Sequence, residues 1–419
     1  MNNVLIKNIK QLLTIKGPKR ARIGKELSDL GIIENAAIYI ENGKIKYYGR
    51  ENDIFRKIKN KKIYEINASG VVLPSFIDCH THLVFAKPRL IDFELRIKGY
   101  DYLQIKKMGG GINKSSKDIK EASKDELISN LVYFSKKFIE CGTTVAEVKS
   151  GYGLDFNSEI KILETVKQTK NKVNIDLIST FLGAHSVPDN FSNSKDYLDY
   201  LKKELIPYVS KNNLARYVDI FCEKGYFSPE ESIDYLNFAK RYGLIPKLHA
   251  EQLSRSGGSY VAFKVKAKTA DHLDFANEDD IKLLKKSKTV SVFLPSSNYF
   301  LGIKRYPDAN KFIENGNIIA LATDFNPGTS PCWNMQFVIS AAVTQMKMKI
   351  EHAIIASTYN AAFALDLHLN KGMIDEGMDA DIAIMDIKDY REIAYYFGSN
   401  LNKITLKNGF IIYEKASSF

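Results

Sequence analysis

Through the middle of the chain, short apolar runs alternate with longer stretches whose apolar residues recur at helical spacing. Strand-like runs fall at Val71–Ile77, Thr144–Val148, Ile175–Phe181, Tyr217–Phe221, Ile245–Leu248, Thr269–Asp271, Val290–Leu294 and Ile318–Ala322. Between them, Ser123 and Glu126 form a capping-box pattern, and Leu127, Leu131, Phe134 and Phe138 follow on one helical face. Ser228-Pro229-Glu230-Glu231 starts another helix, with proline at the first position, where its missing N–H costs nothing. Gly142 and Gly243 punctuate helix ends. Eight strand–helix units over residues 71–370 predict an α/β fold, a (β/α)8 barrel, with a doubly wound open sheet as the alternative.

The two ends of the chain have another texture. Ala36–Ile40 and Ile45–Tyr48 flank Asn42-Gly43, a pair that supplies the positive φ angles of a tight hairpin. Asp381–Met385, Ile404–Lys407 and Phe410–Tyr413 repeat the pattern, with Asn408-Gly409 between the last two. Residues 1–70 and 371–419 therefore predict a small discontinuous β-sandwich domain formed by both termini, with the barrel spanning 71–370.

Composition narrows the class. A chain of 419 residues, 45% hydrophobic and 26% charged, excludes wholesale disorder and can bury a large core. No apolar run reaches the roughly 18 residues of a membrane span, and Lys7, Lys10 and Gln11 interrupt any signal-peptide pattern. Four cysteines, none in a C-x-x-C pair, point to a reducing cytoplasm. The net charge of +11 comes from lysines spread along the chain without a block of like charge. It reads as a solvated surface, so neither nucleic acid nor membrane is an expected partner.

Chemistry collects at the ends of the strand-like runs. The first leads into His80-Thr81-His82, the third into His185 and the fourth into Glu223. The fifth leads into His249, the sixth into His272 and the eighth into Asp324. In a barrel all these positions converge on one mouth. Residues two apart on an extended strand face the same side, so His80 and His82 can meet one cation. His249 and Asp324 would complete a set of three imidazoles and one carboxylate, suited to Zn²⁺ or Fe²⁺. One position would stay open for water, and the metal would bring that water's pKa towards neutrality.

Any one of these histidines alone reads as a hydrogen-bonded polar residue near a barrel end; the joint pattern carries the inference. His352 and His368 fall outside it and read as structural. Lys149, after the second strand, offers no obvious bridge to a second ion, so one metal is expected, with Lys149 adding charge to the mouth. Arg89 is either a bidentate carboxylate grip or a surface arginine. Tyr152 either orients a ligand or packs at the rim. Asn326-Pro327-Gly328-Thr329 either cradles an anion with its N–H groups or is an ordinary turn. Gly109-Gly110-Gly111 is not a dinucleotide fingerprint, and Cys79 reads as buried and inert.

Pro74-Ser75-Phe76-Ile77-Asp78-Cys79-His80-Thr81-His82 resembles the opening strand of the metal-dependent amidohydrolase superfamily. More closely, the chain resembles the imidazolonepropionase family through Val148-Lys149-Ser150-Gly151-Tyr152-Gly153, Thr180–His185, Ala270-Asp271-His272 and Thr323–Pro331. Two departures from the family pattern stand out: Pro74-Ser75 in place of the usual Pro-Gly, and Ala86-Lys87-Pro88 in place of a glycine-rich lead-in to Arg89. The resemblance implies a barrel with a small β domain and one Zn²⁺ or Fe²⁺/Fe³⁺ ion held by His80, His82, His249 and Asp324. It implies Arg89, Tyr152, His185, Gln252, Asn326, Gly328 and Thr329 as substrate-binding residues. Glutamine at 252 has no basic group, leaving His272 and Asp324 for proton transfer and His185 as a donor to the oxyanion. The implied reaction opens 4-imidazolone-5-propanoate to N-formimino-L-glutamate in histidine degradation, and a homodimer is implied as well. Competing expectations are another cyclic amidohydrolase, an aminohydrolase of heterocyclic bases, or a non-catalytic basic binding module.

Overall fold

The computed structural model describes residues 3–58, 62–100 and 102–416; the outermost parts of the expected β domain, residues 1–2 and 417–419, lie outside these. Sixteen strands form two sheets among the described residues. In chain order they are β1 (Asn3–Leu13), β2 (Ile32–Glu41), β3 (Lys44–Arg50), β4 (Tyr64–Asn67), β5 (Val71–Pro74) and β6 (Phe76–Asp78). Then come β7 (Thr143–Lys149), β8 (Asp176–Ala184), β9 (Tyr217–Cys222), β10 (Ile245–Ala250) and β11 (Thr269–His272). The last are β12 (Val290–Phe293), β13 (Ile319–Leu321), β14 (Ile382–Met385), β15 (Asn402–Lys407) and β16 (Phe410–Glu414).

Strands β6 to β13 pair in sequence order, all parallel, with helices in the connections. Closure comes just beyond β6 and β13. Asp324 N–H donates to the His80 carbonyl (3.1 Å), His82 N–H donates to the Phe325 carbonyl (2.8 Å), and Thr323 Oγ1 donates to Asp78 Oδ2 (2.6 Å). The seam of the barrel therefore lies among the residues expected to bind metal. Helix starts follow the predicted chemistry. Ser123 and Glu126 exchange backbone bonds of 3.2 and 2.8 Å, and Ser228 and Glu231 form the same reciprocal cap.

The other sheet runs β16-β15-β14-β5-β1-β2-β3, with β4 also on β1, and so joins both ends of the chain in one mixed layer. Both Asn-Gly pairs adopt positive φ at their hairpins, 51° and 79° at Asn42-Gly43 and 48° and 74° at Asn408-Gly409. The apolar run Val71–Ile77 behaves differently from its reading as one barrel strand. Its first half, β5, pairs with β1 and β14; only β6 joins the barrel. Ser75 sits at the switch, its N–H on the Asp381 carbonyl (3.0 Å) and its hydroxyl 2.5 Å from Thr144 Oγ1. A continuous apolar run can serve two sheets when both of its faces are covered. Among the described residues no helix is long and apolar enough to cross a membrane, and all four cysteines are free.

Candidate metal centre and its cavity

His80, His82 and His249 each bring one donor atom within 4.8 Å of the others, and His80, His272 and Asp324 meet under the same limit. Asp324 Oδ1 stands 3.5 Å from His80 Nε2 and 3.6 Å from His82 Nε2. The donor atoms of the four residues expected as ligands thus lie close together, with His272 beside them. Two of the imidazoles are oriented from behind. His80 Nδ1 lies 2.6 Å from Asp271 Oδ2, and His249 Nδ1 lies 3.0 Å from Asp219 Oδ1. A carboxylate only accepts, so these contacts put the ring hydrogen on Nδ1 and a lone pair on Nε2. Both Nε2 atoms are buried without a hydrogen-bond partner. Orphaned lone pairs aimed at a common point are what a cation requires, so this donor set fits Zn²⁺ or Fe²⁺. Burial, with neighbouring positive and imidazole charge, holds His80, His82 and His272 well below the ordinary histidine value. They are neutral and able to ligate. Burial pushes the Asp324 carboxyl up to about 7; a cation among these donors would hold it ionised.

Beneath the histidines lies a layer of fully buried charge. Lys149 Nζ reaches Asp219 Oδ2 (2.6 Å), Glu147 (3.1 Å) and Asp271 Oδ2 (3.4 Å), while Lys247 Nζ reaches Glu147 Oε2 (2.7 Å) and the Cys79 carbonyl (3.1 Å). Lys149 therefore does not charge the open mouth, as its position after the second strand suggested. Strand alternation turns it into the barrel, where acids hold it. Cys79 is buried, and its thiol is pushed well up by burial.

Above the histidines, buried carboxylates shape the loops. Glu159 accepts N–H bonds from Gly151, Gly153 and Leu154 at 2.7–3.2 Å, fixing the turn that presents Tyr152. Glu223 accepts from Gln252 (3.1 Å) and Leu253 (2.9 Å), so the glutamate read as a candidate chemical group is an anchor for the loop carrying Gln252. Four residues at the mouth take left-handed backbone angles without being glycine: Glu251 (φ 52°), His272 (79°), Leu273 (68°) and Asp324 (53°). Such strain is found where a fold must aim particular side chains.

Arg89, Tyr152, His185, Gln252, Asn326 and Thr329 all line one cavity with His82, His249, His272 and Asp324. The Arg89 backbone N–H donates to the Pro327 carbonyl (2.9 Å), and its Nε is buried without a partner. Its guanidinium lies flat against Gly328, where a Cβ would stand 2.0 Å from Arg89 Cζ. The Asn326 turn is organised differently from a free anion cradle. Asn326 Oδ1 itself takes the N–H groups of Gly328 (2.9 Å) and Thr329 (2.7 Å). His185 Nδ1 lies 3.0 Å from the Gly151 carbonyl, and burial lowers its pKa to about 3. The ring is neutral with its hydrogen on Nδ1, so Nε2 accepts rather than donates. This differs from the oxyanion donor expected of it. His352 lies against Ser28 Oγ (2.9 Å) and His368 against Phe363, apart from the cavity.

Sequence reasoning did not single out Asp219, Glu147 or Lys247, and it met Asp271 only as a strand end and within a motif of the resemblance, with no role assigned. The available signal was charge within apolar strands: Glu147 precedes Lys149 by two residues, and Lys247 precedes His249 by two, so each pair shares a face.

The amidohydrolase family sequence profile matches residues 71–411. An imidazolonepropionase of Flavobacterium johnsoniae is 40% identical over 412 residues, covering 97% of this chain and 99% of that protein. One of Thermoanaerobacter pseudethanolicus is 40% identical over 408 residues, covering 97% of each. Among solved structures, Escherichia coli guanine deaminase superposes with a TM-score of 0.72 at 16% identity, over 99% of this chain and 100% of that one. A 5-methylcytosine deaminase from Klebsiella pneumoniae gives 0.73 at 15%, over 99% of both chains. At these identities the likeness to the deaminases is one of fold.

Proposed function

The chain belongs to the amidohydrolase family and groups with its imidazolonepropionases over nearly its full length; from that premise we propose how its own residues perform the reaction. It is a metal-dependent hydrolase that opens the ring of 4-imidazolone-5-propanoate to N-formimino-L-glutamate, a step of histidine degradation. The observation that carries the assignment of roles is the convergence of His80, His82, His249 and Asp324 donors, the last three lining the cavity that also holds Arg89.

His80, His82, His249 and Asp324 would hold a single Zn²⁺ or iron ion. When bound, that ion activates a water molecule and polarises the ring carbonyl. Arg89 takes the propionate, its guanidinium laid over Gly328 by the turn that Asn326 closes. Tyr152 and His185, whose own rings pack with centroids 5.5 Å apart, stand together at one side of the substrate ring, and His185 Nε2 accepts a hydrogen bond from a ring N–H. Water adds to the ring carbonyl carbon. Its proton passes to the Asp324–His272 pair, whose donor atoms lie within 4.8 Å of one another. Collapse of the tetrahedral carbon breaks the C–N bond, and the same pair returns the proton to the departing nitrogen, which becomes the free end of the formimino group. Gln252 lines the cavity and offers an amide for orientation, not for proton transfer.

We place the chain in the cytoplasm as a homodimer. Its four free cysteines support the first, and the exposed Tyr395 and Phe397 side chains supply apolar surface for the second. Release of formiminoglutamate, followed with metal removed and restored, tests the functional assignment.

A further inference from the structure

Lys149 occupies the end of β7 with its side chain wholly buried. Its ammonium touches both carboxylates that orient the metal-facing histidines. Asp219 gives Oδ2 to Lys149 at 2.6 Å and Oδ1 to His249 Nδ1 at 3.0 Å. Asp271 shares one oxygen, Oδ2, between His80 Nδ1 at 2.6 Å and Lys149 at 3.4 Å. One cation therefore stands at the root of two arms, Lys149–Asp219–His249 and Lys149–Asp271–His80, which end on β10 and just beyond β6.

We propose that Lys149 is a positioning residue for the metal centre: it locks Asp219 and Asp271 in the rotamers that hold the His249 and His80 Nε2 atoms on a common point. The inference rests on the metal-centre reading above and goes beyond it by naming what sets the ligand geometry. Simple charge compensation does not explain the placement. Lys247 is also buried in this layer, yet its bonds run to Glu147 and the Cys79 carbonyl, away from both aspartates. A wholly buried ammonium that donates to Asp219 and Glu147 and pairs with Asp271 restricts how those carboxylates can turn, and groups behind metal-bound imidazoles set affinity by roughly 10–100-fold. Removing the ammonium frees Asp219 to turn and leaves the His249 ring held by a mobile partner.

The test uses the full chain stripped of metal and titrated with Co²⁺. Visible absorption reads ligand geometry, and competition with a chelator reads affinity. Circular dichroism and thermal melting in chelator report folding independently. Lys149→Met removes the ammonium. Because it leaves Lys247 alone against three buried acids and can fail to fold, Lys149→Met/Glu147→Gln accompanies it and restores the original charge balance without restoring the hydrogen bond to Asp219 or the ion pair with Asp271. The expected result is a folded variant that binds Co²⁺ at least tenfold more weakly than the wild type, with a changed absorption spectrum, and the double variant shows the same loss. A folded variant matching the wild type in affinity and spectrum overturns the role of Lys149 alone. Recovery of both readouts in the double variant also overturns it, because charge balance would then suffice. A wild type that binds no Co²⁺ overturns the metal-centre reading, and this inference with it.

Discussion

Asp271 Oδ2 stands 2.6 Å from His80 Nδ1, with both side chains shut off from solvent. The contact fixes which imidazole nitrogen carries hydrogen and therefore which one faces the mouth. Asp271→Ala leaves the His80 ring without this restraint. It is expected to weaken metal binding by about 10–100-fold while the fold survives. Asp271→Asn, which still offers an acceptor oxygen, is expected to lose less. Metal content after dialysis against graded chelator measures both, and equal retention by Asp271→Ala and the wild type would dismiss the contact as incidental.

Arg89 meets the cavity with a buried guanidinium whose Nε has no partner. Its Nη1 lies 3.8 Å from Asp92 Oδ2, and a substrate carboxylate would supply the partner that Nε lacks. Arg89→Met should raise KM roughly tenfold or more, the worth of a charge-assisted hydrogen bond of about 1.5–3 kcal/mol. An aminohydrolase acting on neutral heterocyclic bases would be little affected by the same change, so steady-state kinetics of this variant separate the two chemistries.

Gly328 is required by what lies on it. A Cβ there would stand 2.0 Å from the Arg89 Cζ and Nη2 atoms. Gly328→Ala should therefore displace the guanidinium and raise KM much as Arg89→Met does, with unchanged metal content. Near-normal KM would mean that Arg89 is not held in this position when substrate binds.

Burial pushes the Asp274 carboxyl up to about 7 from its ordinary 3.8, against the hydrogen bond that Asn298 Nδ2 donates to it at 2.8 Å. The unfolded chain ionises this group near 3.8, whereas the folded chain resists ionisation until about pH 7. The penalty is absent below the unfolded value, grows as pH rises and is complete above the folded one. Asp274→Asn keeps the acceptor for Asn298 and removes the charge. Its thermal midpoint should exceed the wild type's by more at pH 8 than at pH 5. An equal difference at both pH values would show that Asp274 titrates normally.

Much of this site was legible in the sequence because barrel geometry turns strand order into spatial convergence. Apolar runs located seven of the eight barrel strands closely, and the residues just past their ends supplied the histidines and Asp324. The division of Val71–Ile77 between two sheets was not legible, since an apolar run does not state which neighbour it pairs with. Nor were the roles of Glu159, Glu223 and Asn326. Each spends its oxygens on backbone N–H groups of a nearby turn, and only coordinates show whether a carboxylate or amide is satisfied by its own chain. Asp219 was invisible for a related reason: it sits inside a buried strand, where a charge carries meaning only through the lysine and histidine that meet it from other strands.

The central claim is that these histidines and Asp324 hold a metal ion for opening the imidazolone ring. The most direct measurement is formiminoglutamate formation from freshly made 4-imidazolone-5-propanoate, with protein as purified, after chelation, and after reloading with Zn²⁺ or Fe²⁺. The account predicts product from the metal-loaded protein, its loss on chelation, its return on reloading, and no return for His249→Ala. No product from wild-type protein shown to contain metal would contradict the substrate assignment, and full turnover by metal-free protein or by His249→Ala would contradict the metal centre.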